Sequence, residues 1–425
     1  MASSLFGQLI EAQRRFQYQL LAKANVVGVA IGYKNAFGEP SDELAIVALV
    51  DRKKPDAALH DSDKIPPEIQ GVKTDVIETG QFYAQQTAPN TGARSAWRPV
   101  IPGGVSIGHY KVTAGTLGVM VRDRLTGAYL LLSNNHVLAN SNDALIGDPI
   151  LQPAPTDRGI NPQDVVARLE RFVPLAYVGD PVSAPAPVQP PPPAPVQPPA
   201  PAPIQPSEPV QPPPPAPVQP SEPSTPTPSP VQPPAPVPPP ASSRCDIADA
   251  VVTLGNVLAA LNGSDKRLSA MSVSAQSAPP SPVYATSVSA QMAIAENSVD
   301  CAVAKPLNVT MFSNEIRYIG RISGVLSPSL NARVRKVGRT TDYTEGTITL
   351  VNATVDVGYN TATGPRTARF VGQVITSGMS MGGDSGSLVV DISTGQAVGL
   401  LFAGSGTASI FTPIQRVLDA LSVTF

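Results

Sequence analysis

The sequence predicts an all-β sandwich or barrel, preceded by a small α/β N-terminal domain and interrupted by a disordered proline-rich insertion. Three observations carry that expectation. From Val105 the chain turns to short apolar runs punctuated by glycine, the spacing of a barrel or sandwich, and this texture returns from Ser298 to Phe411. The first 85 residues instead combine one helical repeat with three apolar runs. Thirty of the 49 prolines fall between Pro181 and Pro240, which leaves the remainder of the 425 residues near the ordinary proline usage of about 5%.

Taken in order, Phe6, Leu9, Ile10, Phe16, Leu20 and Leu21 repeat at helical spacing behind Ser3 or Ser4 as a cap. Runs at Val26–Tyr33, Leu44–Val50 and Val72–Ile77 follow, separated by turn residues, and complete a domain over residues 1–85. Residues 86–104, with Pro89, Gly92, Pro99, Pro102 and two terminal glycines, read as a linker. β structure is expected over 105–310, around the proline-rich insertion, and over 311–425, with a terminal helix at Ile414–Leu421.

The stretch 181–240 repeats APVQPPPP with variants and holds no aromatic residue, so it cannot bury enough surface to fold and reads as an extended polyproline II tether. A proline-recognition domain is a conceivable partner, but no Lys or Arg inside the tract would orient one, and a spacer is preferred. Residues 242–262 carry Ile247, Val251, Leu254, Leu258 and Leu261 at helical spacing.

A formal charge of −2 gives no basic face for nucleic acid and no polybasic membrane patch. The N-terminus has charges where a signal peptide needs an apolar run, and no stretch is long enough to span a bilayer. Cys245 and Cys301 are the two cysteines, too few for a disulfide framework or a metal-ligand pattern. A cytoplasmic setting is the default expectation, with leaderless export left open. Oligomeric state is not legible.

The chemistry centres on Gly382-Gly383-Asp384-Ser385-Gly386-Ser387. A serine hydroxyl attacks only when a base takes its proton and fixed donors receive the oxyanion. Here a glycine turn offers Ser385 as the nucleophile and the Gly383 and Ser385 amides as donors. Three histidines can supply the base. His60 lies in a charged loop and His109 in the segment that opens the β region, whereas His136 follows an apolar run in Leu132-Ser133-Asn134-Asn135-His136-Val137-Leu138.

SNNHVL and GGDSGSLVV resemble the histidine and serine motifs of the chymotrypsin/trypsin-like serine endopeptidases, especially bacterial members and the Deg-type proteases. The resemblance covers about residues 105–180 and 298–425. It implies two antiparallel β-barrels of the chymotrypsin type, the first over 105–310 and the second over 311–425, with the site between them and the chain order His, Asp, Ser. Two carboxylates compete for the middle place. Asp246 sits in Cys-Asp-Ile-Ala-Asp, which matches the family literally but has helical surroundings. Asp300, in Val299-Asp300-Cys301-Ala302-Val303, has alternating apolar neighbours and is preferred; Cys301 is then a buried structural residue.

An α/β-hydrolase elbow is set aside, because Ser387 occupies its second glycine position and no histidine follows Ser385. By analogy the specificity pocket has Met379 at its floor, Ser380 beside it and Phe402-Ala403-Gly404 as its far wall, with no acidic group for a basic side chain. Ile101-Pro102-Gly103-Gly104 superficially resembles the new N-terminus that pairs with the equivalent of Asp384 in processed relatives.

The expected protein is therefore a serine endopeptidase acting on protein or peptide substrates without a cofactor. Its rival is a non-catalytic peptide-binding protein of protease fold with a proline-rich tether.

Overall fold

The computed structural model describes residues 2–36, 39–84, 92–112, 114–180 and 295–425. The proline tract, the helix expected at 242–262, Cys245 and the alternative carboxylate Asp246 lie outside the described residues.

The described chain is mostly β-strand and forms the two bodies of a chymotrypsin-like double barrel. In the first body the strand Ala302–Pro306 lies between Tyr129–Ser133 and Val165–Phe172, both antiparallel to it. Ser133 stands opposite Ala302, so the end of the first strand meets the start of the second. The sheet continues through Pro149–Leu151 and Ser106–His109 on one side and Val119–Asp123 on the other. Inward Ile107, Leu131, Val137, Ile150, Leu169 and Ala304 fill this body, as alternation along half-buried strands requires.

The second body is a closed antiparallel circuit of six strands. Asp342–Thr361 pairs with Gly364–Ser377, which pairs in turn with Ala408–Pro413, Ala397–Gly404, Leu388–Asp391 and Arg333–Gly338, and the last returns to Asp342–Thr361. One apolar cluster joins the bodies. It holds Val121, Leu132 and Val303 of the first, Val337, Leu388 and Leu400 of the second, and Val417 and Leu418 of the terminal helix Ile414–Ala420. Val423–Thr424 then pairs with Val119–Asp123, stitching the C-terminus to the first body.

The N-terminal helix runs over Ala2–Leu21, so Ser3 and Ser4 lie within it, not at its cap. Leu9, Ala12 and Leu20 pack against Val29, Ile31 and Ile46 of the strands Val26–Ala36 and Glu39–Val50. The sheet these strands form is continuous with the second barrel, because Val26–Ala36 pairs antiparallel with Asp342–Thr361. That strand is 20 residues long and would leave an open edge beyond its pairing with Arg333–Gly338. Val26–Ala36 covers the edge next, and Phe82–Tyr83 covers it beyond that. The register slips between Val29 and Ile31, where the fully buried Gln13 donates to the carbonyls of Val29 (3.1 Å) and Asn352 (2.8 Å). Within the stretch expected to be a linker, Ile101–Gly103 forms a strand parallel to Phe312–Ile316.

His60 is exposed. His109 is fully buried, with Nε2 3.0 Å from Asp148 Oδ2 and Nδ1 accepting the Lys111 N–H at 3.3 Å. Burial pulls its pKa below the ordinary 6.5, against the opposing pull of Asp148. Below about pH 6.5 the unfolded chain therefore binds more protons than the folded one, and stability contributed by neutral His109 falls as the solution is acidified. Urea unfolding at pH 7 and pH 5 should show a smaller acid loss for His109→Gln than for the wild type; equal losses would remove this role.

Candidate active site

Asp300 precedes the strand Ala302–Pro306 and is fully buried. Its carboxylate is built into a set of donors from both barrels. His136 Nδ1 lies 2.6 Å from Oδ2, and the Tyr359 hydroxyl donates to the same oxygen at 2.9 Å. The Asn135 N–H donates to Oδ1 at 2.7 Å and the His136 N–H reaches it at 3.4 Å. The Asn134 side chain ties down the Asp300 backbone carbonyl at 2.7 Å. The short helix Asn135–Leu138 presents these N–H groups as the strand Tyr129–Ser133 ends. Asn135 Nδ2 in turn holds Val173 O and Asn142 Oδ1.

Tyr359 comes from the long strand of the second barrel, so the carboxylate bridges the two bodies. Burial, reinforced by the charge of Asp300, pushes its phenol well above the ordinary range and keeps it a neutral donor. Its ring meets the His136 ring edge-on, with centroids 5.7 Å apart. Burial likewise raises the Cys301 thiol, with Asp300 adding to the effect, so that sulfur stays protonated and unreactive.

The Ser385 turn is anchored to the first barrel through Thr116. Its N–H donates to Ser385 O at 2.7 Å, and its hydroxyl donates to Gly383 O at 2.9 Å and accepts the Arg339 N–H at 2.9 Å. Gly383 and Gly386 adopt φ of +95° and +93°. A Cβ on Gly386 would stand 2.1 Å from Ser133 Oγ, so glycine is required where this turn touches the histidine-bearing strand. Among the described residues the N–H groups of Gly383 and Ser385 have no acceptor. Ser385 Oγ donates to Phe402 O at 3.2 Å, and the buried Nε2 of His136 has no partner. The structure thus joins His136 to Asp300 and brings the serine turn against Ser133, without a bond between the Ser385 hydroxyl and the imidazole.

Asp384 has its own cation. Lys336 Nζ lies 3.0 Å from Oδ2 with both side chains fully buried, and burial lowers the lysine pKa against the pull of Asp384. The N–H groups of Thr340, Thr341 and Met381 and the Thr341 hydroxyl also donate to Asp384. Ile101, by contrast, is fully buried in its strand. The turn is formed in the intact chain with Lys336 as the cation beside Asp384.

Among the residues read as a specificity pocket, Met379 packs with Val334, Ile348, Val374 and Leu401 in the barrel core. Ser380 stays partly exposed and shares a 2.7 Å hydrogen bond with the Ser409 hydroxyl. A Cβ on Gly404 would lie 3.4 Å from Ser380 Oγ, so the two are neighbours. Phe402 is buried against Phe370, with ring centroids 4.7 Å apart, and Ala403 is buried in the same cluster.

Tyr359, Thr116 and Lys336 were not singled out as site residues in the sequence. Their contacts span 59, 269 and 48 positions respectively, and no local pattern signals them.

No protein-family model and no curated protein matches the chain. Among solved structures, it matches Thermobifida fusca protease A at 12% identity, covering 77% of this chain and 98% of that one, with a TM-score of 0.35. A Nocardiopsis protease matches at 12% identity over the same shares, with a TM-score of 0.36. A glutamic-acid-specific serine protease matches at 15% identity over 76% and 99%, with a TM-score of 0.35.

Removing the Tyr359 hydroxyl takes one hydrogen bond from a buried carboxylate, an interaction worth about 1.5–3 kcal/mol. If Ser385 is the nucleophile, Tyr359→Phe should slow its labelling by a fluorophosphonate roughly tenfold to a hundredfold at pH 7, relative to a parent with the same loosening substitution Phe82→Ala. An unchanged rate would show that the hydroxyl does not support the imidazole.

Proposed function

We propose that this protein is a serine endopeptidase that cleaves peptide bonds through an acyl-enzyme intermediate. The observation that carries this reading is the buried His136–Asp300 pair, with Nδ1 held by the carboxylate and Nε2 left unpartnered. Asp300 fixes the tautomer in which Nδ1 carries the proton and Nε2 is basic, and it stabilises the imidazolium that forms during reaction. An extended substrate donates its backbone N–H to Phe402 O. The Ser385 hydroxyl then turns to His136 Nε2 and attacks the scissile carbonyl as its proton passes to the imidazole. The Gly383 and Ser385 N–H groups receive the oxyanion. The imidazolium gives its proton to the leaving amine, and a water attacks the acyl-enzyme by the same route in reverse.

No cofactor enters this scheme, and the substrates it implies are proteins or peptides. Ser380, partly exposed beside Gly404, brings a neutral hydroxyl and no carboxylate, so small or apolar side chains are favoured over basic ones.

Fluorophosphonate labelling tests the assignment directly. With the segment Phe82–Tyr83 loosened by Phe82→Ala, Ser385 should be labelled, while adding Ser385→Ala or His136→Ala should abolish essentially all labelling with the fold intact by circular dichroism. Labelling that survives Ser385→Ala would overturn the assignment, and an unreactive Phe82→Ala chain that keeps its cooperative fold would favour the peptide-binding alternative.

A further inference from the structure

The edge of Ala397–Gly404 beside Ser385 is already occupied by the protein's own chain. Leu388–Asp391 pairs with that strand only as far as Leu400. Past it, Phe402 O accepts from the Ser385 hydroxyl, and Gly404 pairs antiparallel with Tyr83. Phe82–Tyr83 also runs parallel to Val357–Gly358, and the Ala84 N–H donates to Gly358 O at 3.1 Å. The segment therefore fills the gap between two strands of the second barrel, main chain to main chain.

Its side chains fit the gap as well. Phe82 is 2% exposed, in one cluster with Tyr359, Phe370 and Phe402. Tyr83 lies across Gly358, where a Cβ would come within 2.8 Å of its ring. Ala84 lines two cavities at once: one of about 280 Å³ with His136 and Tyr359, and one of about 790 Å³ with Met381 and Gly382. The segment thus ends between the candidate base and the serine turn.

We propose that Gln81–Ala84 is an intramolecular occupant of the groove that binds extended peptides, so that the intact chain is latent until this segment is displaced. The inference rests on the endopeptidase reading for its consequence, but the occupancy itself requires no turnover. Strand addition supplies affinity through the main chain and takes specificity from alternate side-chain pockets. The freed groove accordingly takes an extended peptide with a large apolar side chain at the place of Phe82.

The test uses the full chain in a Ser385→Ala background and the labelled peptide Thr-Gly-Gln-Phe-Tyr-Ala, the sequence of residues 79–84. Ala84→Pro removes the N–H given to Gly358 and leaves Phe82 in place. Phe82→Ala removes the apolar anchor and serves as the second variant. Apparent peptide affinity, by fluorescence anisotropy, should rise at least tenfold in each variant over the parent, because the competent state is no longer masked. A peptide with Ala for Phe should bind more weakly. Equal affinity for the parent and for a variant that keeps its cooperative thermal transition would overturn the proposal. With Ser385 restored, a loosened chain that binds peptide but is never labelled would overturn the endopeptidase reading alone.

Discussion

The site depends on one buried anion. A carboxylate removed from water survives as a charge only when its lone pairs are filled, and Asp300 fills them with the His136 ring, the Tyr359 hydroxyl and the Asn135 N–H. The donors come from two parts of the architecture. His136 and Asn135 belong to the turn after Tyr129–Ser133, Tyr359 belongs to the second barrel, and Asp300 itself enters the first barrel where Ala302 pairs with both Ser133 and Phe172. Satisfying the carboxylate therefore ties the two bodies together at the His136 imidazole.

A second buried anion does the same for the nucleophile. Asp384 receives Lys336 and three backbone N–H groups, which sets the course of the chain on either side and leaves the Gly383 and Ser385 amides directed elsewhere. Thr116 then fixes that turn to the first barrel by bonding Ser385 O and Gly383 O. Two buried carboxylates and one threonine thus hold His136, the Ser385 turn and the Gly383 and Ser385 amides. Breaking one partner of such a buried pair typically costs about 3–5 kcal/mol, so the arrangement is rigid as well as specific.

Much of this was legible in the sequence where the signal is local. The helix and apolar runs before residue 80, the strands around Val119–Val121 and Tyr129–Ser133, and the terminal helix from Ile414 all follow from periodicity; the β texture implies a sandwich or barrel, and the motif resemblance implies two barrels. The motifs around His136, Asp300 and Ser385 stood out because strand ends and glycine turns concentrate unusual residue types. What stayed hidden depends on distant partners. Nothing near Tyr359 marks it as a donor to Asp300, and Ile101–Gly103 read as a linker because its proline and glycines mask a strand whose partner lies some 210 residues on. Likewise, Val26–Ala36 and Phe82–Tyr83 carry no trace of the edge they cover, since a sheet edge is a property of the assembled barrel.

The central claim is that Asp300 holds the imidazole in its basic orientation and tautomer. Asp300→Asn keeps the size of the side chain but offers an amide that can favour the opposite tautomer. At pH 7, with the fold verified by an unchanged circular dichroism spectrum, the second-order rate of fluorophosphonate acylation at Ser385 should fall by about 10⁴-fold in a chain whose residue 81–84 segment has been loosened. A rate within tenfold of the equally loosened parent would contradict the account.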